Sequence, residues 1–133
     1  MEINLPSILS VTPIYIALLG LIFIAITLRV GLYRVKNDIN IGDGGDAELL
    51  RRIRGQGNFV ETVPIALLLL VSMELMGAGD TWLHSLGALL VLARICHYLG
   101  LTELGPFALR PAGMAGTILT ILVSSIWILV GLF

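Results

Sequence analysis

The chain has 133 residues, of which 57% are hydrophobic and only 13% are charged, and its mean hydropathy is +0.99. Soluble domains carry about 25% charged residues, so this composition indicates an integral membrane protein without a separate soluble domain. The net charge of −1 provides no bulk field for binding nucleic acid. The one cysteine, Cys96, excludes an intrachain disulfide.

Four segments are long and apolar enough to cross a bilayer as helices, which takes about 20 mostly apolar residues. The first contains no charge from Ile3 to Leu28. This is longer than the roughly 7–15 apolar residues of a signal peptide, so we expect a helix that stays in the membrane. An all-α integral membrane protein is predicted, a four-transmembrane-helix bundle forming one domain over residues 1–133. The predicted helices cover roughly Ser7–Tyr33, Ala47–Met76, Thr81–Leu101 and Pro111–Phe133.

Local signals predict how three of these helices begin. Asp46 is expected to cap helix 2 and Asp80 to cap helix 3, because Asp side chains accept hydrogen bonds from the free N–H groups of a first helical turn. Pro111 is expected as the first residue of helix 4, where a missing N–H costs nothing. The short turn that begins at Gly77 makes helices 2 and 3 antiparallel neighbours.

The basic residues predict the orientation in the membrane. They border the first and third loops, whereas the N-terminus, the second loop and the C-terminus contain no Lys or Arg. The positive-inside rule therefore places loops 1 and 3 in the cytoplasm and both termini outside. In a bacterium this membrane would be the inner, cytoplasmic one. The residues that carry the prediction are Arg34, Lys36, Arg51, Arg52, Arg54 and Arg110.

Polar residues inside the predicted spans form two clusters, one on each of two helices. The helix 2 cluster has the spacing i, i+4, i+7 and the helix 3 cluster i, i+3, so each occupies one helix face. Charges at such positions cost about 2.5–3.5 kcal/mol each and are functional candidates. Topology brings both clusters to the cytoplasmic half, at the depth where Arg34 ends helix 1. His97 lies in the helix 3 cluster, and the side chains expected to converge on one cytoplasm-facing cavity are Arg54, Asn58, Glu61, Arg94 and Arg110.

Simpler interpretations remain open for several of these residues. Arg54 could be an interface anchor or a ligand contact. Glu61 and Arg94 lie deep in apolar sequence, so they form either a ligand site or a structural ion pair between helices 2 and 3. Pro64 frees a backbone carbonyl of helix 2, which either widens the helix for a ligand or is an ordinary transmembrane proline. The residues expected to be anchors that reach the headgroups are Arg29, Lys36, Arg51 and Arg52.

The residue types of the cavity predict the kind of ligand. Guanidinium groups bind carboxylates through paired hydrogen bonds, and the start of helix 4 adds backbone N–H groups and a positive dipole end. Glu61 and Asn58 could bind an ammonium and an amide. This inventory fits a small polyanionic ligand with one amine. No metal site is expected, because His84 and His97 lie about 20 Å apart along one helix, and no nucleotide or zinc-protease motif is present.

The segment Arg54-Gly-Gln-Gly-Asn58-Phe-Val-Glu61-Thr-Val-Pro64 resembles the R-x-x-x-N-x-x-E-x-x-P signature of the MAPEG family. These are membrane-associated proteins of eicosanoid and glutathione metabolism. Further along the chain, Arg94-Ile-Cys-His97 and then Arg110 follow in the family's order and with nearly its spacing. The resemblance covers most of the chain and is greatest to the short bacterial members.

This resemblance implies a homotrimer that holds glutathione, as co-substrate, between neighbouring subunits near the cytoplasmic side. Arg110 would be the catalytic residue, whose guanidinium favours the nucleophilic thiolate of glutathione. The thiolate would attack a hydrophobic electrophile or reduce a lipid hydroperoxide, as in a detoxifying transferase or peroxidase surrounded by membrane lipids. By position, the residues that would bind glutathione or brace its site are Arg34, Arg54, Asn58, Glu61, Arg94 and His97.

Three positions depart from the family's better-known members. Gly57 stands where some eukaryotic members carry a basic residue, Leu101 where relatives often have a tyrosine, and Pro111 where prostaglandin synthases have a serine. The specialised eicosanoid synthases are therefore poor guides to this chain. Two alternatives stay open: a protein that binds glutathione or an anionic lipid without catalysis, and a structural or transport bundle. An internal repeat, which a transporter usually shows, is not visible.

Overall fold

The computed structural model describes residues 8–132 of the chain. Over this range it contains four α-helices: α1 Thr12–Lys36, α2 Ala47–Leu75, α3 Asp80–Leu101 and α4 Leu109–Leu132. All four are long and apolar enough to cross a membrane. The predicted all-helical, four-span fold is therefore confirmed. Two predicted helix limits, Ser7 and Phe133, lie outside the described residues.

The helices begin at slightly different positions from those predicted. Helix α3 begins at Asp80 itself, and its N-cap is Gly79, so the prediction that Asp80 caps this helix is wrong. Helix α4 begins at Leu109, two residues before Pro111. The difference matters because Arg110 then lies in the first turn of α4 and takes its direction from the helix.

Helix α2 begins as predicted, with Asp46 as its N-cap. The Asp46 carboxylate accepts a hydrogen bond of 2.8 Å from the backbone N–H of Leu49 and another of 3.0 Å from the Tyr33 hydroxyl. The hydrogen bond from Leu49 is the main reason that the pKa of Asp46 lies below its usual value. Because Tyr33 belongs to α1, the cap also ties the two ends of the first loop together.

The bundle buries a narrow apolar core and leaves its outer faces apolar as well. Fully buried side chains from the first three helices form the centre of the core, and they include Leu19, Leu70, Met73, Leu83 and Leu90. Many large apolar side chains nevertheless remain exposed on the outside. A helix that is hydrophobic all round is typical of a membrane span, because its outer face contacts lipid instead of water.

The first and third loops lie at the same end of the bundle, which is called the basic end here. Arg51, at the start of α2, forms an ion pair of 3.3 Å with Glu103 of the third loop. Arg52 pairs with Glu48, and its guanidinium lies 4.3 Å from the centre of the Tyr33 ring. Contacts of this kind fit side chains that anchor the bundle at a headgroup layer.

At the opposite end of the bundle, Glu74 of α2 caps the start of α1. Its carboxylate accepts the backbone N–H groups of Ser10 (2.6 Å), Val11 (2.7 Å) and Thr12 (2.8 Å), together with the Thr12 hydroxyl. Val11 is the N-cap of α1 and offers no side-chain hydrogen bond. A carboxylate from another helix therefore satisfies the free N–H groups and the positive end of the helix dipole.

We expect Glu74→Ala to lower the free energy of unfolding by about 2 kcal/mol, because it leaves three backbone donors without a partner and removes charge-assisted hydrogen bonds. Thermal unfolding in detergent micelles measures the effect. Glu103→Ala is the matched control, since it removes a largely exposed ion pair worth about 0–1 kcal/mol. Equal losses in the two variants would contradict this account of α1.

Candidate functional site

Helix α2 presents three polar side chains along the face that its sequence spacing predicts. Nη1 of Arg54 lies 3.8 Å from Oε1 of Glu61, and the two side chains are 58% and 57% exposed. Asn58 lies between them in sequence and turns inward, where its Oδ1 accepts a hydrogen bond from Arg94. The three side chains therefore share one helix face, on which Arg54 and Glu61 point outward and Asn58 points towards the bundle.

Arg94 is fully buried and has no carboxylate partner among the described residues. Its guanidinium donates to Oδ1 of Asn58 (2.6 Å) and to Oγ1 of Thr117 (3.2 Å), while its Nε has no partner there. The structural ion pair considered for Glu61 and Arg94 is absent, since the Glu61 carboxylate lies beside Arg54 instead. A guanidinium held only by neutral groups leaves its positive charge uncompensated.

His97 connects α3 to the first turn of α4. Its Nδ1 lies 2.9 Å from the backbone carbonyl oxygen of Arg110, and only 5% of the residue is exposed. A carbonyl oxygen can only accept a hydrogen bond, so Nδ1 must carry the proton and donate it. In the neutral ring Nε2 is then the acceptor nitrogen. His97 thus holds the backbone of Arg110 in place.

Two glycines allow α3 and the start of α4 to approach this closely. A Cβ at Gly113 of α4 would collide with the backbone of Ala93 and His97, and a Cβ at Gly100 of α3 would collide with the backbone of Arg110. Side chains at either position would push the two helices apart. Glycine is therefore required here for close packing between helices, as in other membrane bundles.

These groups border an open cleft of about 410 Å³. Two arginines, Arg54 and Arg110, lie on its wall, and Arg94 lies behind the Asn58 side chain. Among the described residues, Glu61 is the one acidic group near these three arginines, so positive charge is in excess. The remaining wall is mostly apolar. The lining residues are Arg54, Asn58, His97, Leu101, Phe107, Arg110, Pro111 and Met114.

The predicted site residues are thus divided among four places, three of which are at or near the cleft. Four of them line the cleft: Arg54, Asn58, His97 and Arg110. Arg94 braces the cleft from behind, and Glu61 lies outside it on the exposed side of α2.

Arg34 lies elsewhere, apart from the cleft. Its guanidinium donates to the carbonyl oxygens of Gly42 (2.7 Å) and Ile39 (3.4 Å) in the first loop. It lines a separate hollow at the end of α1. Helix α1 does not pack against α4 within the chain. Consequently, Arg34 does not reach Arg110 within one chain.

Sequence reasoning missed Thr117, Phe107 and Met114. Thr117 is a polar residue in an apolar helix, so its type was a usable signal, but its role as the partner of Arg94 depends on how α3 and α4 pack. Phe107 is 73% exposed in the third loop, and Met114 lies one turn after Arg110. Neither carries a sequence signal that separates a cleft wall from an ordinary lipid-facing side chain.

An apolar groove of about 360 Å³ lies between α1 and α2. Phe59 forms part of it. The Phe59 ring stacks on Phe23 with centres 5.7 Å apart, and the Arg94 guanidinium lies 5.9 Å from its centre. Pro64, inside the unbroken α2, also lines this groove. The residues that line the groove are all apolar or glycine.

Comparison with known proteins finds two kinds of similarity. The family model described as "MAPEG family" matches residues 12–130. The chain is 35% identical over 121 residues to the inner membrane protein YecN of Escherichia coli K12. This match covers 88% of the present chain and 91% of YecN. The same protein of Escherichia coli O6:H1 strain CFT073 matches to the same extent. The family match includes residues of all four helices.

We expect Gly113→Ala to lower the free energy of unfolding by about 1–3 kcal/mol, because the added methyl group meets the backbone of α3 and not a side chain that could move. Thermal unfolding in detergent micelles provides the measurement. Gly31→Ala in α1 is the matched control: its Cβ meets open space within the chain, so the change should be neutral or stabilising by up to about 1 kcal/mol. A stable Gly113→Ala protein would contradict the close α3–α4 contact.

Proposed function

Because this chain belongs to the MAPEG family, we propose that it is a membrane glutathione transferase or peroxidase whose active site is the cleft of Arg54, Asn58, His97 and Arg110. The observation that carries the proposal is the buried, uncompensated guanidinium of Arg94 directly behind this cleft. The matched relatives are named only as inner membrane proteins, so the activity is proposed from the site.

The buried Arg94 favours an anionic ligand over a purely structural role. Taking a charge out of water costs several kcal/mol unless an opposite charge offsets it. Asn58 and Thr117 satisfy two of its donors but bring no negative charge. With Arg54 and Arg110 on the cleft wall, the site concentrates positive potential. A bound polyanion would offset that cost, so binding and stability of the site are coupled.

Glutathione suits this arrangement group by group. It has two carboxylates, which guanidinium forks bind well, and one ammonium, for which Glu61 is the nearest acidic partner. Asn58 offers an amide beside them. The cleft volume of about 410 Å³ lies in the range of about 300–1,000 Å³ that small-ligand sites occupy. The volume of the cleft and its excess of positive charge thus support glutathione as the ligand.

The proposed chemistry uses the glutathione sulfur as the nucleophile. The thiol loses its proton, and the Arg110 guanidinium stabilises the thiolate. With an apolar electrophile, the sulfur forms a bond to the electrophilic carbon, and the leaving group departs with the electron pair of the bond that breaks. With a lipid hydroperoxide, the sulfur forms an S–O bond to the terminal oxygen as the O–O bond breaks, and the alkoxide takes a proton from water and leaves as the alcohol. The thiol of a second glutathione then attacks the sulfur of the sulfenic acid, which gives the disulfide and water. The apolar residues of the cleft wall, Leu101, Phe107 and Met114, are a suitable surface for either substrate.

We propose further that the functional unit is a homotrimer in which a neighbouring copy covers the cleft. The Arg54–Glu61 pair is more than half exposed in the single chain, although Glu61 lies well inside a helix that can span a membrane. Charges in contact with hydrocarbon are costly, so another protein surface should cover them. Arg34, which does not reach the cleft in its own chain, could enter it from that neighbour.

The proposed orientation places the basic end in the cytoplasm. Among the described residues and in the sequence as a whole, Lys and Arg concentrate at this end, which is the pattern of the positive-inside rule. The cleft would then open towards cytoplasmic glutathione, and both termini would lie outside. The printed name of the Escherichia coli relative refers to the inner membrane, which is the membrane we propose for a bacterial host.

One observation supports a non-catalytic alternative. Arg94 joins α2, α3 and α4 through Asn58 and Thr117, so the same residue could serve assembly of the bundle while the cleft binds glutathione or an anionic lipid headgroup. Such a protein would bind the ligand without activating its thiol. Formation of the thiolate therefore distinguishes the two functions.

The test is an ultraviolet difference titration of the purified protein with glutathione, which reports the thiolate directly. The wild type should give a thiolate signal at pH 7. Arg110→Ala should lose most of it, because a free thiol is only a few per cent ionised at this pH. Arg51→Ala is the matched control: it removes another arginine of the basic end, paired with Glu103, and should keep the signal. Binding without a thiolate would favour the non-catalytic alternative, and no binding would contradict glutathione as the ligand.

Complementation between variants tests the contribution of the neighbouring copy. Arg34→Ala and Arg54→Ala should each bind glutathione at least about 10-fold more weakly, the loss expected of a charge-assisted hydrogen bond. Co-expressed with different affinity tags and purified as mixed oligomers, they should regain a fraction of wild-type sites. In those sites Arg54 would come from one subunit and Arg34 from another. Mixed oligomers no better than either parent would contradict a site shared in this way.

A further inference from the structure

Thiolate formation requires a group that takes the thiol proton, and none of the arginines can do so. A guanidinium stays protonated at any ordinary pH and has no acceptor atom. It can stabilise the product of proton transfer without being the acceptor. Of the residues that line the cleft, His97 alone has an aromatic nitrogen that can gain and lose a proton near neutral pH.

The environment of His97 determines which nitrogen is available. Nδ1 lies 2.9 Å from the backbone carbonyl oxygen of Arg110, to which it donates a hydrogen bond, and it therefore carries the proton. Nε2 has no hydrogen-bond partner among the described residues and is not one of the buried polar atoms closed off from solvent there. The small exposed part of His97 belongs to the cleft wall. Nε2 therefore offers a free lone pair beside Arg110.

We propose that Nε2 of His97 is the base that removes the thiol proton of bound glutathione, while Arg110 receives the resulting thiolate. This inference rests on the function proposed above and assigns a catalytic role in it to His97. The S–H bond breaks, its electron pair stays on the sulfur, and an N–H bond forms at Nε2. The imidazolium then passes this proton to water in the open cleft and returns to its neutral form.

Charged groups from all four helices lie around His97. Arginines from each of the four helices lie near it or near its neighbour Tyr98. The same charges favour the thiolate. The proton is therefore expected to leave the cleft while the sulfur stays ionised. The charged groups are Arg94 on α3, Arg110 on α4, Arg54 with Glu61 on α2, and Arg29 above the Tyr98 ring on α1.

The two ring nitrogens can be separated by substitution. In His97→Asn the amide nitrogen is as many bonds from Cα as Nδ1 is, so it can still donate to the Arg110 carbonyl oxygen, and no atom replaces Nε2. In His97→Gln the amide extends to the position of Nε2 and the donor to Arg110 is lost. A merely positioning role for His97 predicts that Asn is the milder change, whereas a base at Nε2 predicts that Asn binds glutathione well but activates it poorly.

The experiment is stopped-flow mixing of the purified protein with glutathione in detergent, following thiolate absorbance together with proton release to an indicator dye. At pH 7, His97→Asn should retain binding affinity within about threefold and form the thiolate about 100-fold more slowly than wild type. The deficit should shrink as pH rises, because hydroxide then takes the proton. His84→Asn, at the other end of α3, is the matched control and should match wild type.

Each outcome has a separate meaning. Thiolate formation at the wild-type rate in His97→Asn from pH 6 to 9, values spanning the ordinary pKa of histidine near about 6.5, would overturn this inference alone. A wild type that binds glutathione and forms no thiolate would overturn the proposed function as well. If His97→Asn fails to fold, the wild-type protein still decides the matter. Its rate of thiolate formation should fall as pH is lowered through the titration of one group, and a flat rate would reject His97 as the base.

Discussion

The contact between α3 and α4 at Gly113 is the constraint on which the site depends. The backbone of α3 occupies the space that a Cβ would need there. At this separation His97 reaches the carbonyl oxygen of Arg110, and Arg94 reaches Thr117. Both hydrogen bonds are already near their normal lengths, so a side chain between the helices would break them together. One close approach therefore fixes the arginine on the cleft wall and the buried arginine behind it.

Three of the four helix N-termini have acidic side chains beside them and the fourth has none, and this difference affects the electrostatic potential of the cleft. Acidic side chains compensate three of them: Glu74 at α1, Asp46 and Glu48 at α2, and Asp80 in the first turn of α3. The first turn of α4 has no acidic residue and carries Arg110 instead. The dipole of α4 therefore adds to the positive potential of the cleft. The excess charge is local to the proposed site, because the chain as a whole is nearly neutral.

Composition and helix-length runs of apolar residues were sufficient to predict the number of spans, since both depend on local sequence alone. The i, i+4, i+7 spacing likewise predicted which face of α2 carries Arg54, Asn58 and Glu61. The partners of these side chains depend on how the helices are rotated and spaced, which sequence does not state. For this reason the sequence did not reveal that Arg94 pairs with Asn58 and Thr117. It also did not reveal that a carboxylate of α2, and not a side chain of the N-cap residue, accepts the first N–H groups of α1.

A membrane location affects the energetics of the proposed reaction, because the dielectric constant of the surroundings is low. Guanidinium–thiolate attraction is stronger where hydrocarbon and apolar side chains such as Phe107 and Met114 lower the local dielectric. The same surroundings concentrate an apolar electrophile, whereas glutathione must enter from water. Proton removal is then the step that a low dielectric hinders, because it separates charge. A base on the cleft wall that is open to water, as proposed for His97, removes this obstacle while Arg110 stays beside the sulfur.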